Sequence, residues 1–303
     1  MACRSHIHTL KDVCLKNAVH VTEPVVLISQ IQRSGGSLLS QLFDCHPEIH
    51  AHPHELKIGH PKKYMWPQMN LSDGPKRWFN LLFEESVIRL IFYEYFSSLD
   101  SIRMRDIFDA YMTSYFGAWL NNHNYLGGKK YVTGFTPRLS EDAGNMETFF
   151  TIYPDGRLIS LVRNPQNWFP SALRHNQKIK KDKYSDIQTA LAQWTTNSAA
   201  MIRNKERYQE RVWIIKFEDL IQHTEKVMKY LAQALGIKYQ RILTEPTFNG
   251  MPIKANTSFD STNGGIIRKT TERHKTLSAD EAGIVEKETK EVYEAVLKHA
   301  VQF

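Results

Sequence analysis

Six consecutive residues, Gln32-Arg33-Ser34-Gly35-Gly36-Ser37, have the composition of an anion cradle. Adjacent glycines let the chain turn tightly, so that successive backbone N–H groups point into one concavity. A helix that follows adds its positive N-terminal end, and phosphate is the natural occupant. Ser34 and Ser37 bring hydroxyl donors, and Arg33 brings a permanent charge with a bidentate fork. A second group stands about 130 residues further on: Arg163-Asn164-Pro165, with Ser171 eight residues after the arginine. An arginine at a strand's end and a serine inside the next helix can grip one anion between them. Taken singly, a Gly-Gly turn also suits any strand-to-helix connection, and an Arg and a Ser at that spacing are ordinary surface residues. The first loop is not the triphosphate-binding pattern, since G-x-x-x-x-G-K-[ST] is missing and no lysine precedes Ser37; this counts against a kinase.

These residues need strands and helices to hold them. Residues 25–28 are an apolar run of buried-strand type, and Leu38, Leu39, Leu42 and Phe43 resume at helical spacing after the loop, giving strand, tight turn, helix. Further strands are expected at 131–135, 157–162 and 212–217. Helices are expected at 75–99, 105–122, 140–152, 165–175, 185–208, from 218 to a stop at Leu235-Gly236, and at 279–299. Prolines at 47, 53, 61 and 67 predict irregular chain after the first helix, and 244–265 reads as loop. Alternating strands and helices argue for an α/β protein whose parallel sheet is covered on both faces.

Spelled Q-R-S-G-G-S-L-L-x-x-L-F-D-x-H-P-E, the first loop resembles the 5′-phosphosulfate-binding segment of sulfotransferases that use 3′-phosphoadenosine 5′-phosphosulfate (PAPS). In many members that segment reads P-R-S-G-[ST]-T-L-L; Gln32 and Gly36 depart from it. R-N-P-x-x-x-x-x-S is similar to the family's 3′-phosphate-binding segment. V-W-I-I-K-F-E-D-L, and A-N-T-S-F with G-I-I-R-K-T-T-E-R-H-K-T-L-S, resemble its late strand and tail. The resemblance covers most of residues 25–298, leaving about 75–156 poorly matched. It implies a P-loop-like sulfotransferase fold of three layers, with residues 1–23 as a lead-in, 24–303 as one domain, and about 75–156 as a mostly helical segment on the acceptor side.

The resemblance also implies roles. Arg33, Ser34, Gly35, Gly36, Ser37 and Leu38 would hold the 5′-phosphosulfate, Arg163 and Ser171 the 3′-phosphate, and Arg273 and Lys275 would close over the nucleotide. Arg33 would also meet the charge developing on the leaving phosphate. The general base for the acceptor would be Glu55 or His54, in H-E-L after the first helix. Many relatives carry a lysine in K-T-P where this chain has Phe135-Thr136-Pro137, and Arg138 is the nearest cation that could replace it. The chemistry requires no metal, and the histidines at 46, 50, 52 and 54 do not have recognised zinc spacing.

Composition bounds the partners. With 303 residues, 42% hydrophobic and 23% charged, the chain can build an ordinary core. A net charge of +7 and a pI near 9.1 favour an anionic ligand. Cys3, Cys14 and Cys45 are too few and scattered for a disulfide framework, which fits a reducing compartment. The first residues lack a signal-peptide core and no apolar run is long enough to span a membrane, so a cytoplasmic protein is expected. The expected acceptor is a hydroxyl, or less readily an amine, on a small molecule, glycan or lipid. Aromatics of 66–119, from Trp66 to Trp119, belong to the core, with a few free to line an acceptor pocket. Two other readings stay open: a nucleotide or small-molecule kinase, and a non-catalytic anion-binding protein. No nucleic-acid-binding motif is present.

Overall fold

The computed structural model describes residues 20–56, 85–123, 128–178, 186–253 and 265–303. The lead-in to residue 19, the first ten residues of the helix expected at 75–99, Trp66, Trp78 and Phe79, and A-N-T-S-F lie outside them. Five strands, β1 (Val25–Ser29), β2 (Ile49–Glu55), β3 (Tyr131–Phe135), β4 (Arg157–Val162) and β5 (Val212–Lys216), form one sheet in the order β2-β3-β1-β4-β5. Every neighbouring pair is parallel. Parallel neighbours require long crossovers. Helices supply them: α1 (Gly36–Leu42), α2 (Glu85–Ser97), α3 (Met104–Gly117), α4 (Ala143–Ile152), α5 (Pro165–Lys178) and α6 (Ile187–Tyr208). After β5 come α7 (Phe217–Gln222), α8 (Thr224–Leu235) and α9 (Ala279–His299).

The strands read as continuous apolar runs because both faces are buried. Val25 and Leu27 of β1, with Val132, Leu158 and Val212, pack against Phe108 and Met112 of α3 and Met146 and Phe149 of α4. Val26 and Ile28, with Ile159, Leu161 and Ile215, face the opposite layer of Leu39 and Leu42 from α1 and Val227, Met228 and Leu231 from α8. A third cluster joins α5, α6 and α9 through Trp168, Trp194, Val285 and Val296. The chain leaves β1 toward β2 and β3 on one side and reaches β4 and β5 on the other, so its direction across the sheet reverses between β1 and β4. Ligands of open parallel sheets bind at that reversal, outside the carboxyl ends of the strands. Among the described residues no helix is long and apolar enough to cross a membrane.

Several boundaries differ from the sequence expectation for identifiable reasons. Residues 49–55 form a strand despite Pro53. β2 lies at the sheet edge and its register shifts between Ala51 and Glu55, so the missing N–H of Pro53 interrupts no essential ladder bond. Asp142, not Ser140, caps α4 by accepting from the Asn145 N–H at 2.8 Å; Ser140 is buried in a short 3-10 turn and its N–H donates to Ser29 Oγ. Helix formation after β5 breaks at His223 (φ −125°, ψ 38°), where Thr224 Oγ1 donates back to the Leu220 carbonyl. The segment 244–265 contains a small hairpin, Thr247–Phe248 against Met251–Pro252. Asp44 fastens it, accepting from Thr247 Oγ1 at 2.7 Å and the Gly250 N–H at 2.8 Å. At the other edge, Ala300 bridges Ile214 of β5 and the Val301 N–H donates to the Ile214 carbonyl at 2.9 Å.

The histidines near β2 have separate structural employments. His46 Nε2 donates to the Lys238 carbonyl at 2.8 Å while Nδ1 accepts the Glu48 N–H, which requires the neutral ring. His52 packs on Tyr115 and His50 on Phe116, ring centres 4.5 and 4.9 Å apart. Burial, reinforced by the charge of Lys129, pushes His50 down to about 3. Below the ordinary histidine value of about 6.5 the unfolded chain takes up a proton that the folded one refuses. Stability should therefore fall as the pH drops from there, by up to about 1.4 kcal/mol per pH unit. Urea titrations at stepped pH should show this slope in the wild type and a shallower one in His50→Phe, which keeps a ring against Phe116. An equal slope in both proteins would exclude His50 as its source.

Candidate functional site

A cavity of about 390 Å³ opens where the strands end. All five deliver a lining residue at or just beyond their carboxyl ends: Gln30 after β1, Glu55 from β2, Phe135 from β3, Arg163 after β4 and Phe217 after β5. The glycine loop forms one wall through Arg33, Gly35, Gly36, Ser37 and Leu38. Arg33 takes a left-handed backbone at φ 71°, as does Gly35 at φ 96°, and these two turns reverse the chain from strand to helix. Gly35 lies against the Phe217 ring, and no side chain caps the start of α1.

Arg163 is 3% exposed and holds two segments together. Its Nη1 donates to the Arg33 carbonyl at 2.8 Å and its Nη2 to the Thr270 carbonyl at 2.7 Å. The guanidinium lies 4.5 Å over the Phe217 ring, and Nε is buried with no hydrogen-bond partner among the described residues. Two tryptophans fix the frame: Trp194 Nε1 donates to the Arg163 carbonyl, and Trp168 Nε1 to the Gln32 carbonyl. In R-N-P, Asn164 receives the Gln166 N–H on its side-chain oxygen and Pro165 opens α5, so the helix carries Ser171 round to the cavity.

The basic run 268–276 is a 3-10 helix, Arg268–Thr276. With three residues per turn, Ile267, Thr270 and Arg273 fall on one side, and all three line the cavity. Asn167 of α5 docks this helix, its side-chain oxygen accepting the His274 N–H at 3.0 Å. Lys275 is on a different side, exposed and paired with Glu272 at 2.9 Å.

Charge in the cavity is unbalanced. Burial pushes the guanidiniums of Arg33, Arg163 and Arg273 below the ordinary arginine value, and Arg33 and Arg273 each press Arg163 further down while Glu218 opposes them. Among the described residues lining the cavity, Glu55 is the single carboxylate. Such a site favours an anion.

The sequence candidates thus divide. Arg33, Gly35, Gly36, Ser37, Leu38, Glu55, Arg163, Ser171 and Arg273 share the cavity wall. Ser34 does not: it is fully buried, and its Oγ has no hydrogen-bond partner among the described residues. Lys275 faces away, and His54 belongs to β2 with its side chain outside the described ones. Arg138 is taken up by Glu141 at 2.7 Å and lies outside the described lining, to which Phe135 and Pro137 both contribute. Sequence reasoning missed Gln30, Gln41, Phe217 and Thr270. Only Gln30 carried a local signal, a polar residue ending a buried strand just before the loop.

A family model described as "Sulfotransferase family" matches residues 24–241. No curated protein sequence matches the chain. Among solved structures, the sulfotransferase domain from the curacin biosynthetic pathway is similar with a TM-score of 0.54 at 16% identity, over 88% of this chain and 98% of that one. The sulfotransferase domain of the Synechococcus PCC 7002 olefin synthase gives 0.54 at 15%, over 92% and 97%. A sulfotransferase from Alicyclobacillus acidocaldarius gives 0.50 at 14%, over 92% and 97%.

Two glycines separate backbone strain from crowding in the loop. Gly236 has φ 64° and open space around it, whereas a Cβ on Gly35 would lie 2.6 Å from Phe217 Cδ2. Gly236→Ala should cost about 1–2 kcal/mol. Gly35→Ala should cost a further ~1–3 kcal/mol by overpacking. Only Gly35→Ala should also shrink the thermal shift produced by inorganic sulfate, measured by calorimetric unfolding.

Proposed function

Since the chain belongs to the sulfotransferase family, we propose that it takes a sulfuryl group from PAPS and places it on a hydroxyl oxygen of its acceptor. The observation that carries this reading is the convergence of three buried or half-buried arginines and a glycine loop on one cavity whose described lining holds a single carboxylate. PAPS supplies a sulfuryl group joined through oxygen to a good leaving phosphate. Arg33, Ser37 and the amides of the glycine loop hold its 5′ end. Arg163 and Ser171, with Arg273 above them, hold the 3′-phosphate; a buried guanidinium with an unpaired Nε suits a dianion.

Glu55 receives the proton of the acceptor hydroxyl. As that oxygen bonds to sulfur, the bond from sulfur to the phosphate oxygen breaks, and the charge gathering on the phosphate falls to Arg33. The products are a sulfate ester, adenosine 3′,5′-bisphosphate and a proton passed on to water. Phe135, Pro137 and Ile253 give the acceptor an apolar wall.

Isothermal calorimetry tests the donor. Adenosine 3′,5′-bisphosphate should bind one to one and ATP far more weakly. Arg163→Ala should weaken the bisphosphate by roughly ten- to a hundredfold, the value of charge-assisted hydrogen bonds. Arg273→Ala, from a more exposed turn, should weaken it less. Absence of bisphosphate binding by folded wild type would overturn the proposal. Glu55→Gln should keep bisphosphate affinity and lose about 10²–10⁴ in turnover. That loss is read with radiolabelled PAPS against a panel of phenols, sterols and sugars.

A further inference from the structure

Among the polar side chains of the cavity that the scheme above leaves without a role, Gln30 is the most buried and holds an unpaired atom. Gln30 follows the last residue of β1, is 2% exposed, and lines the cavity. Its carbonyl is fixed by the Arg138 N–H at 2.9 Å, while its side-chain Oε1 is buried with no hydrogen-bond partner among the described residues. The carboxamide occupies the space over Gly36. A Cβ on Gly36 would lie 2.5 Å from Oε1 and closer still to Cδ and Nε2. With the carboxamide in this position, the side chain at 30 fills the volume that a Cβ at 36 would claim.

We infer that Gln30 is an anion-binding residue, contributing from the end of β1 the hydrogen bond that a hydroxyl at position 36 would have contributed from the start of α1. This rests on the PAPS reading and assigns the contact to the 5′-phosphosulfate end. An amide left with one end unpaired in a buried site is unfavourable, and a ligand relieves it. The two ends of the group have the same shape, so a half-turn of the carboxamide presents N–H donors where the unpaired oxygen stands. Gly36 lies beneath the carboxamide, and the Arg138 N–H fixes the backbone of Gln30 from which it reaches the cavity.

The test is calorimetric titration with adenosine 3′,5′-bisphosphate, which carries the 5′-phosphate, with thermal unfolding of each protein alongside. Gln30→Met preserves volume and removes the donor. It should weaken the bisphosphate about tenfold while leaving the unliganded melting temperature equal or higher. Gln30→Glu keeps the shape, adds an anion, and should weaken binding further. Gly36→Ser alone should weaken binding by displacing the Gln30 carboxamide, whereas the pair Gln30→Gly with Gly36→Ser should bind more tightly than Gln30→Gly alone. A purely space-filling Gln30 would give the opposite pattern: lower melting temperatures with unchanged affinity of the folded protein, and no gain from the pair. That result overturns the assignment while leaving the PAPS reading intact. Failure of wild type to bind the bisphosphate overturns the PAPS reading itself.

Discussion

The site depends on one buried cation. Arg163 is removed from water, and two of its nitrogens satisfy carbonyls in parts of the chain far apart in sequence, Arg33 and Thr270. Burying a charge is costly unless it is paired and hydrogen-bonded. Here the compensation is partial: carbonyl oxygens, the Phe217 face and the more distant Glu218. The guanidinium tethers the glycine loop to the 3-10 helix. With it, they share a wall whose remaining electrostatic need is an anion.

Everything around this residue serves its placement. Two indole N–H groups, from Trp168 and Trp194, spend their single donors on backbone carbonyls at either side of the cation. Both indoles belong to the cluster beneath α5, α6 and α9, so the apolar packing of three helices is transmitted to loop positions within a few ångströms of the cavity. On the other flank, the Thr136 N–H donates to the Ile28 carbonyl and the Leu56 N–H to that of Phe135. The ends of β1, β2 and β3 are thereby stitched to one another. The carboxylate of Glu55 and the amide of Gln30 therefore stand on rigid neighbours rather than on loops of their own.

Much of this was legible in the sequence, for reasons that can be named. Strand β4 and helix α9 announced themselves because continuous burial and amphipathic spacing leave strong patterns. The turn from β1 into α1 was readable because an apolar run, adjacent glycines and resumed helical spacing follow one another. Strand β2 was not, because the prolines in and around it argue against a strand, and its edge position and bulge excuse Pro53. The 3-10 turn of 268–276 was equally hidden: a run of cations reads as a solvated loop, and which of Arg273 and Lys275 points inward depends on a three-residue period that composition does not reveal. The placement of Ser34 was hidden for a related reason. A serine beside a phosphate loop looks like a donor until the left-handed Arg33 turns the chain and buries it. Gln30 could be understood only once position 36 was seen in space.

The two margins of the sheet have a consequence beyond the site. A parallel sheet ends in rows of unpaired N–H and C=O groups, which invite a strand from another molecule. On the β2 side, Pro53 removes a donor and the register shift disrupts the row. On the β5 side, Ala300 and Val301 already occupy part of the ladder at Ile214. Neither margin offers a regular template for strand addition, so the fold guards against edge-to-edge aggregation with an imino acid, a bulge and two residues of its own tail.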